Sequence, residues 1–434
     1  MADTIQKYKD YVMTGFLKSV APIVIDHASG VTVTDVNGRE YLDCFAGISV
    51  VNAGHGNSQV IAAAKAQMDK LVHCSSYLYH VQPVADLAEK IAQIAPGRNL
   101  RKTFFGNGGA EAIEGALKLA RLYTGKHEFI SLHASFHGRS WGALSVTGNY
   151  ARKKKGGPYA SGVAFAPAPY AYRSLWPNDP EECGRQCANA IDEVVRMATS
   201  NDVAAFIAEP VMGEGGIIVP PANYFREVKK VLDRYGILFI ADEVQSGFGR
   251  TGKMFAIEHY GIEPDILVMA KGIADGFPLS AYTTRPEIAD AYKPGDHLST
   301  FGGNPISCAA ALANIAFMEK ENLPARAAET GNYAMSKLRE IQKANPLIGE
   351  VRGAGLMIGV ELVKDAQKTP APAEAEGLRE ACLRKGLLIG VGGIFGNVVR
   401  FQPPLVITRE QIDRAIGIFS EALREVSQPA HATA

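Results

Sequence analysis

The chain has 434 residues, 47% of them apolar and 21% charged, and its 45 Lys and Arg residues are balanced by 45 Asp and Glu residues. This composition is typical of a globular protein of two or three domains. Zero net charge argues against nucleic acid or an anionic membrane as a partner, because binding to either rests on neutralised phosphates. The first residues lack the apolar core of a signal peptide, and no apolar run approaches the ~20 residues that cross a bilayer. We therefore expect a cytoplasmic protein.

The six cysteines are too few and too scattered for a disulfide framework in so long a chain, so we expect reduced thiols. Only Cys183 and Cys187 are close in sequence. A Cys-x3-Cys pair without a second pair or a histidine nearby has poor spacing for zinc. We predict no metal site, and we interpret the pair as two thiols one turn apart on a helix.

The first predicted element is a hairpin over 30–43, where apolar and polar residues alternate around the Asn37-Gly38 turn. A helix is predicted after Ser58 from the spacing of its apolar residues. From about Lys102, short apolar runs alternate with helical patterns. The runs lie at 102–106, 128–133, 163–169, 203–208, 237–241 and 265–270. Such strands predict a parallel sheet covered by helices on both faces, with a ligand beyond the carboxyl ends of the strands.

The pattern after about residue 312 predicts a smaller lobe. Its elements are a helical stretch, a Gly-rich strand from Val351 to Val363, a polar insert from Asp365 to Glu376, and a strand from Val398 to about Val406. The tail from Gln428 to Ala434 is predicted to be disordered. The sequence thus predicts an α/β fold, with a large domain over 57–312 and a small α+β domain made of residues 1–56 and 313–434.

Three fragments place reactive groups at the ends of predicted elements. Lys271 follows an apolar strand, where a desolvated lysine loses its proton readily, as a Schiff-base nucleophile must. Alone, that fragment favours a lysine that merely extends from the sheet edge. Asp242 ends another apolar strand, where it could pair with a protonated ring nitrogen or only cap a helix. The small residues of 106–110 join a strand to a helix, as in a phosphate site or a plain glycine turn.

A lysine for an aldehyde, an aspartate for a pyridine nitrogen and a helix amino terminus for a phosphate together predict pyridoxal phosphate chemistry. The sequence resembles the class III (ω-amino-acid) pyridoxal-phosphate aminotransferases from about Gly15 to Leu423. The motifs that carry the resemblance follow the order of that family. They are Asn107-Gly108-Gly109-Ala110-Glu111-Ala112, Phe136-His137-Gly138-Arg139, Glu209 to Gly216, Asp242 to Gly252, Ala270-Lys271-Gly272, and Ser299 to Pro305.

The resemblance implies a fold-type I enzyme with Lys271 as its Schiff-base lysine. Asp242 would keep the pyridine nitrogen protonated, Gln245 would hydrogen-bond the ring hydroxyl, and Phe136 would stack on the ring. The remaining cofactor contacts would come from His137, from Gly108, Gly109 and Ala110 at the phosphate, and from Thr300 toward the cofactor of a neighbouring subunit. A homodimer or a dimer of dimers with shared active sites is therefore implied. The family usually has Ser or Thr in place of Gly108, so one phosphate contact is expected to be missing.

Five residues bear on the substrate. Arg139 resembles the arginine that 4-aminobutyrate aminotransferases aim at the carboxylate remote from the amine, and Arg400 resembles the one that binds an α-carboxylate. A guanidinium suits both tasks because it donates two parallel hydrogen bonds. Glu214 resembles the carboxylate that pairs with Arg400 when a substrate lacks an α-carboxylate, and Glu209 is included in the substrate site. Ile48 stands where ornithine aminotransferases have a tyrosine, which favours the 4-aminobutyrate type.

The sequence therefore predicts a ping-pong transaminase, with Lys271, Asp242 and Glu214 as catalytic residues. The amino group would pass from an ω-amino acid such as 4-aminobutyrate to 2-oxoglutarate or pyruvate. Segments 355–359 and 386–390 also resemble alanine–glyoxylate aminotransferases of the same class. A lyase, a decarboxylase, an aminomutase and a non-enzymatic cofactor-binding protein are further alternatives. The glycines of 247–252 match a dinucleotide-binding pattern, but no helix opens within them, so that interpretation is disfavoured.

Overall fold

The computed structural model describes residues 1–15, 20–174 and 179–427. The strands are β1 (Ile25–Ser29), β2 (Thr32–Asp35), β3 (Glu40–Asp43), β4 (Lys102–Gly106), β5 (Glu128–Leu132), β6 (Val163–Ala166), β7 (Val203–Ala208), β8 (Leu238–Asp242), β9 (Ile266–Met269), β10 (Ser280–Thr284), β11 (Ile348–Ala354), β12 (Met357–Leu362), β13 (Leu387–Leu388), β14 (Gly390–Gly392) and β15 (Val398–Phe401). The helices are α1 (Ala2–Tyr11), α2 (Ala46–Ser49), α3 (Ser58–Met68), α4 (Gln82–Ile94), α5 (Gly109–Thr124), α6 (Trp141–Ser145), α7 (Pro180–Ala198), α8 (Tyr224–Tyr235), α9 (Pro286–Ala289), α10 (Pro305–Lys320), α11 (Leu323–Ala344), α12 (Pro372–Arg384) and α13 (Arg409–Ser427).

The central sheet has seven strands in the order β4-β10-β9-β8-β7-β5-β6. Strand β10 runs antiparallel to β4 and β9, whereas the pairs from β9 to β6 are parallel. The six apolar runs of the sequence coincide with β4 to β9. The predicted α/β fold with a mainly parallel sheet is therefore confirmed.

Successive residues of the central strands face two separate cores. On β7, Phe206 belongs to one apolar cluster and Ile207 to the other; on β9, Leu267 and Val268 divide in the same way. Side chains alternate between the faces of a strand, so a strand that is covered on both sides must be apolar throughout. Helix α5 covers one face, and helices α7 and α8 pack against each other within the cluster on the other.

Two smaller four-stranded sheets flank this core. The first has the order β1-β2-β3-β13, and its β3–β13 pair is parallel, so both ends of the chain contribute to one sheet. The predicted hairpin is β2–β3. The second sheet, β11-β12-β15-β14, is antiparallel throughout. The domain boundaries at residues 57 and 312 stay a prediction. Within the described residues, no helix is both long enough and apolar enough to cross a bilayer.

Several predictions for the smaller lobe were wrong in detail. The single strand predicted from Val351 to Val363 is a hairpin of β11 and β12, which turns at Gly355 with φ +52°. The polar insert becomes helix α12 from Pro372, and β15 ends at Phe401 because Pro403 follows, which has no N–H for a strand ladder. The tail from 428 to 434 lies outside the described residues.

Candidate active site

The reactive groups predicted from the sequence meet in a cleft beyond the carboxyl ends of β4, β5, β7, β8 and β9. The cleft encloses about 300 Å³. It is lined by Asn107, Gly108, Gly109, Ala110, Phe136, His137, Gly138, Glu209, Asp242, Val244, Gln245, Ala270 and Lys271, and by Val50 and residues 277–279. Phe136, Gln245 and Lys271 also line an adjoining basin of about 1150 Å³. This basin holds four of the predicted substrate residues, Ile48, Arg139, Glu214 and Arg400, whereas Glu209 lines the cleft.

Lys271 lies two residues beyond the end of β9 and has φ +46°, which is unusual for a residue other than glycine. Such backbone strain persists where the surrounding packing enforces it, and it is common at functional sites. Gly272 is closely packed, since a Cβ there would lie 2.4 Å from Nδ2 of Asn52. Burial lowers the pKa of Lys271, although the carboxylate of Asp242 opposes this shift. The amine can therefore lose its proton and act as a nucleophile or a base.

Asp242 is the last residue of β8 and is buried. Its Oδ1 accepts a hydrogen bond from the Val244 N–H at 3.0 Å, and its Oδ2 lies 2.7 Å from Nδ1 of His137. On its other side, the His137 ring lies 3.4 Å from Oγ of Ser131. This chain of contacts holds a carboxylate at the floor of the cleft, where it can face a protonated ring nitrogen.

The first turn of α5 forms one wall of the cleft. The N–H groups of a first helical turn have no partners within the helix and carry the positive end of its dipole. Close approach to this wall needs small residues: a Cβ on Gly109 would lie 2.9 Å from Cγ1 of Val244, and one on Gly138 would lie 2.8 Å from Cβ of Ala110. In contrast, a Cβ on Gly108 would meet no atom within 4 Å. The cradle fits a phosphate group, and Gly108 leaves part of it open.

Glu209 follows β7 and ties two loops of the cleft together. It accepts hydrogen bonds from the N–H groups of Phe136 at 2.9 Å and Gly213 at 2.8 Å. Burial raises the pKa of Glu209 to about 7. Because its carboxyl oxygens are turned toward backbone groups, Glu209 supports the site. The predicted contact of Glu209 with a substrate stays a prediction.

Gln245 is fixed at the junction of the cleft and the basin. Its Oε1 accepts a hydrogen bond from Nε2 of Gln402 at 3.0 Å. A Cβ on Gly213 would lie 2.2 Å from the same oxygen, so Gly213 leaves just enough space for this side chain. Gln402 was not among the predicted residues, because an amide after a strand carries no signal of its own.

Arg400 and Arg139 both line the basin. Nη1 of Arg400 lies 2.8 Å from Oε2 of Glu214, and its guanidinium lies over the Phe45 ring. Arg139 lies over the Phe136 ring at 5.6 Å and has no carboxylate partner among the residues that the structure describes. Of these two arginines of the basin, Arg400 is therefore neutralised and Arg139 is open.

Ile48 reaches the basin from a left-handed turn. Ala46, Gly47, Ile48 and Ser49 all have positive φ, between +50° and +71°. Oδ1 of Asp43 stabilises the start of this turn by accepting hydrogen bonds from the N–H groups of Phe45 at 2.8 Å and Ala46 at 2.9 Å. The turn leaves Ile48 41% exposed at the wall of the basin. Strain of this kind costs about 1–2 kcal/mol per residue, so packing must maintain it.

Arg152 is a basin residue that was not predicted from the sequence. It ends a short 3-10 turn (Tyr150–Arg152) and forms an ion pair with Oε1 of Glu214. Its sequence context, Arg152-Lys153-Lys154-Lys155, indicates an ordinary solvated charge run. Because the contact with Glu214 spans 62 residues, no local pattern could have revealed it.

Three other predictions concern groups outside the cleft. Thr300 is exposed and does not line the cleft, so its contact with a partner subunit stays a prediction. The glycines of 247–252 lie in a loop that is followed by a 3-10 turn (Ala256–Tyr260), which does not fit a dinucleotide site. Cys183 and Cys187 are buried one turn apart in α7, as predicted. In the part of the chain that the structure describes, no three His, Cys, Asp or Glu side chains cluster to hold a metal.

Comparison with known proteins agrees with this geometry. The family model described as aminotransferase class-III matches residues 17–423. The acetylornithine aminotransferase of Methanothermobacter thermautotrophicus is 38% identical, over 98% of this chain and 99% of its own length. The 5-aminovalerate aminotransferase DavT of Pseudomonas putida is 39% identical, over 94% and 95%. The leucine/methionine racemase of Thermococcus litoralis is also 39% identical, over 98% and 96%.

Solved structures show the same relationship. A Bacillus anthracis aminotransferase superposes with a TM-score of 0.93 at 35% identity, covering 98% of each chain. The fold and cleft define a pyridoxal-phosphate-dependent enzyme of fold type I. The chain belongs to the class III aminotransferases, and the predicted fold, enzyme class and cofactor are confirmed.

Proposed function

We propose that this enzyme transfers the amino group of an ω-amino acid of the 4-aminobutyrate type to a 2-oxo acid, 2-oxoglutarate or pyruvate. The observation that carries the proposal is the pair of unlike arginines in the basin. Arg139 is open and can hold the distal carboxylate of an ω-amino acid, whereas Arg400 is neutralised by Glu214. A substrate without an α-carboxylate fits this arrangement as it stands.

The chemistry at the cleft would rest on Lys271 and Asp242. Bound pyridoxal phosphate supplies an aldehyde for the amine and a ring that withdraws electrons from the substrate carbon. Nζ of Lys271 is the base that takes the proton from that carbon, a role that its lowered pKa favours. The Asp242 carboxylate, which lies 2.7 Å from Nδ1 of His137, would keep the ring nitrogen protonated.

The remaining cofactor contacts would divide among three sides of the cleft. Gly108, Gly109 and Ala110 would hold the phosphate, Phe136 would stack on the ring, and Gln245 would donate a hydrogen bond to the ring hydroxyl; all five residues line the cleft. His137 acts through Asp242. Thr300 is proposed to reach the cofactor of a second subunit, so the proposal includes a homodimer or a dimer of dimers with shared active sites. A cytoplasmic location is part of the same proposal.

The second half-reaction needs a different arrangement of the basin. A 2-oxo acid brings a carboxylate next to its reactive carbon, and Arg400 is placed to bind it once Oε2 of Glu214 moves away. Glu214 would thus act as a switch between the two substrates. The cations Arg400 and Arg152 lower the pKa of Glu214 although burial opposes this, so the switch is ionised at neutral pH.

A half-reaction assay tests the proposal. Purified protein loaded with pyridoxal phosphate is mixed separately with 4-aminobutyrate, 5-aminovalerate, β-alanine, L-ornithine, N-acetyl-L-ornithine, L-alanine and L-glutamate, and the visible absorbance of the cofactor is followed. Loss of absorbance with an ω-amino acid and with L-glutamate or L-alanine supports the proposal. Loss with L-alanine alone favours the alanine–glyoxylate type. A product without any oxo-acid acceptor indicates a lyase or decarboxylase, and conversion of one enantiomer into the other indicates a racemase.

A further inference from the structure

Glu214 holds two arginines, one on each carboxylate oxygen. Oε2 accepts a hydrogen bond from Arg400 at 2.8 Å, and Oε1 accepts one from Arg152. The two cations differ in position, since the Arg400 side chain is 6% exposed and that of Arg152 is 35% exposed. Arg400 therefore approaches from the interior of the basin and Arg152 from its mouth.

The exchange of Glu214 for a substrate carboxylate has an electrostatic cost. The Glu214 side chain is only 14% exposed, and a carboxylate that leaves its partner in such a place loses a charge-assisted hydrogen bond without full hydration. A second cation on the other oxygen reduces this cost. When Oε2 releases Arg400, Oε1 still has Arg152.

The local structure directs Arg152 toward Glu214. The short turn that ends at Arg152 begins after Asn149, whose buried side chain accepts a hydrogen bond from the Ala151 N–H at 3.2 Å. The next residue, Lys153, faces another way, since its Nζ lies over the Phe165 ring and donates to the Ser145 carbonyl. Arg152 is thus the member of the basic run that lines the basin.

We propose that Arg152 is a positioning residue for the switch: it holds Glu214 when an α-carboxylate takes its place on Arg400. The proposal rests on the proposed function, because it assigns the α-carboxylate of the 2-oxo acid to Arg400. Arg152 sets how readily the enzyme accepts substrates with an α-carboxylate. It has little influence on an ω-amino acid, which leaves the Glu214–Arg400 pair intact.

Calorimetric binding of two unreactive acids to the cofactor-loaded enzyme tests this role. Glutarate has two carboxylates and must displace Glu214, whereas butyrate needs only Arg139. We expect Arg152→Gln to raise the Kd of glutarate about tenfold, the value of one charge-assisted hydrogen bond. Lys155→Gln removes an equal charge from the same loop and serves as the control. The Kd of butyrate should change by the same factor in both variants.

Two further variants separate positioning from direct binding. Arg152→Lys keeps a cation near Oε1 and should restore most of the affinity for glutarate. In a Glu214→Gln background, Arg152→Gln should raise the Kd of glutarate no more than Lys155→Gln does, because the carboxylate that Arg152 holds is then absent. An undiminished tenfold effect in that background would mean that Arg152 binds the ligand itself, and would overturn the proposal.

Half-reactions distinguish failure of this inference from failure of the proposed function. In Arg152→Gln the KM for L-glutamate should rise about tenfold with kcat nearly unchanged, while both constants for 4-aminobutyrate stay close to those of Lys155→Gln. Equal losses for both amines would overturn the role of Arg152 and leave the proposed function intact. If the parent enzyme reacts with no ω-amino acid, the proposed function fails, and the glutarate and butyrate measurements still decide the role of Arg152.

Discussion

Gly108→Ser should tighten the binding of pyridoxal phosphate. Gly108 is the residue before helix α5 and has φ −144° and ψ 157°, an extended conformation that serine adopts without strain. The Cβ would meet no atom within 4 Å, so the new side chain enters free space at the phosphate cradle. Gly108 has no side chain, so a serine in its place would add a hydroxyl beside the cradle.

The size of the effect follows from one hydrogen bond to a charged group. Such a bond contributes about 1.5–3 kcal/mol, and fixing the serine rotamer consumes part of it. A net gain of about 1.4 kcal/mol lowers the Kd roughly tenfold. The measurement is a titration of the cofactor-free protein with pyridoxal phosphate, combined with the rate at which the loaded protein releases it.

Gly108→Ala is the matched control, because it adds the same Cβ and the same restriction of the unfolded backbone without the hydroxyl. Alanine is also a poorer residue than glycine at the start of a helix, so it should bind the cofactor no better than the parent. Equal Kd values for the serine and alanine variants would refute the assignment of Gly108 to the phosphate.

Three other outcomes are expected. Lys271→Ala should reduce turnover by at least roughly 10²-fold while the phosphate cradle still retains the cofactor, measured as activity against bound cofactor. Gly213→Ala should weaken cofactor binding about tenfold, because its Cβ would displace the Gln245 side chain, and titration of the apo form measures this. The stability of Asp275→Asn relative to the parent should increase as pH rises. Burial raises the pKa of Asp275 to about 7, so the free energy of unfolding of the parent should fall by up to roughly 4 kcal/mol between pH 4 and 8. The difference in Tm between the two proteins, measured across this pH range, follows the effect.

Each of these outcomes can be contradicted. Multiple turnovers by Lys271→Ala without added amine would exclude Lys271 as the base. Unchanged cofactor affinity in Gly213→Ala would show that the position of Gln245 does not matter for the cofactor. Asparagine keeps the acceptor that the Ala53 N–H uses at Asp275, so a Tm difference that is constant with pH would mean that the carboxyl does not titrate in this range.

Most of the large sheet could be predicted because its signal is local. Strands β6, β7 and β9 are apolar over their length and β4, β5 and β8 over most of it, a pattern imposed by two cores that meet the sheet on opposite faces. Lys271 and Asp242 could be located for the same reason, since Asp242 is the last residue of β8 and Lys271 lies two residues beyond β9. Their roles stay proposals, but their meeting in one cleft follows from parallel strands that end at one edge of a sheet.

The smaller lobe was predicted less accurately because its turns depend on distant contacts. The β11–β12 hairpin turns at Gly355, where a Cβ would lie 2.5 Å from the backbone carbon of Thr251. That restriction comes from a loop about a hundred residues earlier in the chain, and nothing around Gly355 marks it. The left-handed turn at Ile48 is similar, because Asp43 and the surrounding packing hold it against its own backbone preference.

By itself, the sequence determined the fold class, the cofactor and the residues that follow the central strands, since hydrophobic periodicity and short motifs act within a few residues of chain. Only the tertiary structure decided which charged side chains of the basin form ion pairs with each other. Arg152, Glu214 and Arg400 come from three distant segments, and their pairing depends on distances of a few ångströms in a partly buried basin. The strength of an ion pair depends on that separation and on desolvation, and neither quantity is written in the order of the residues.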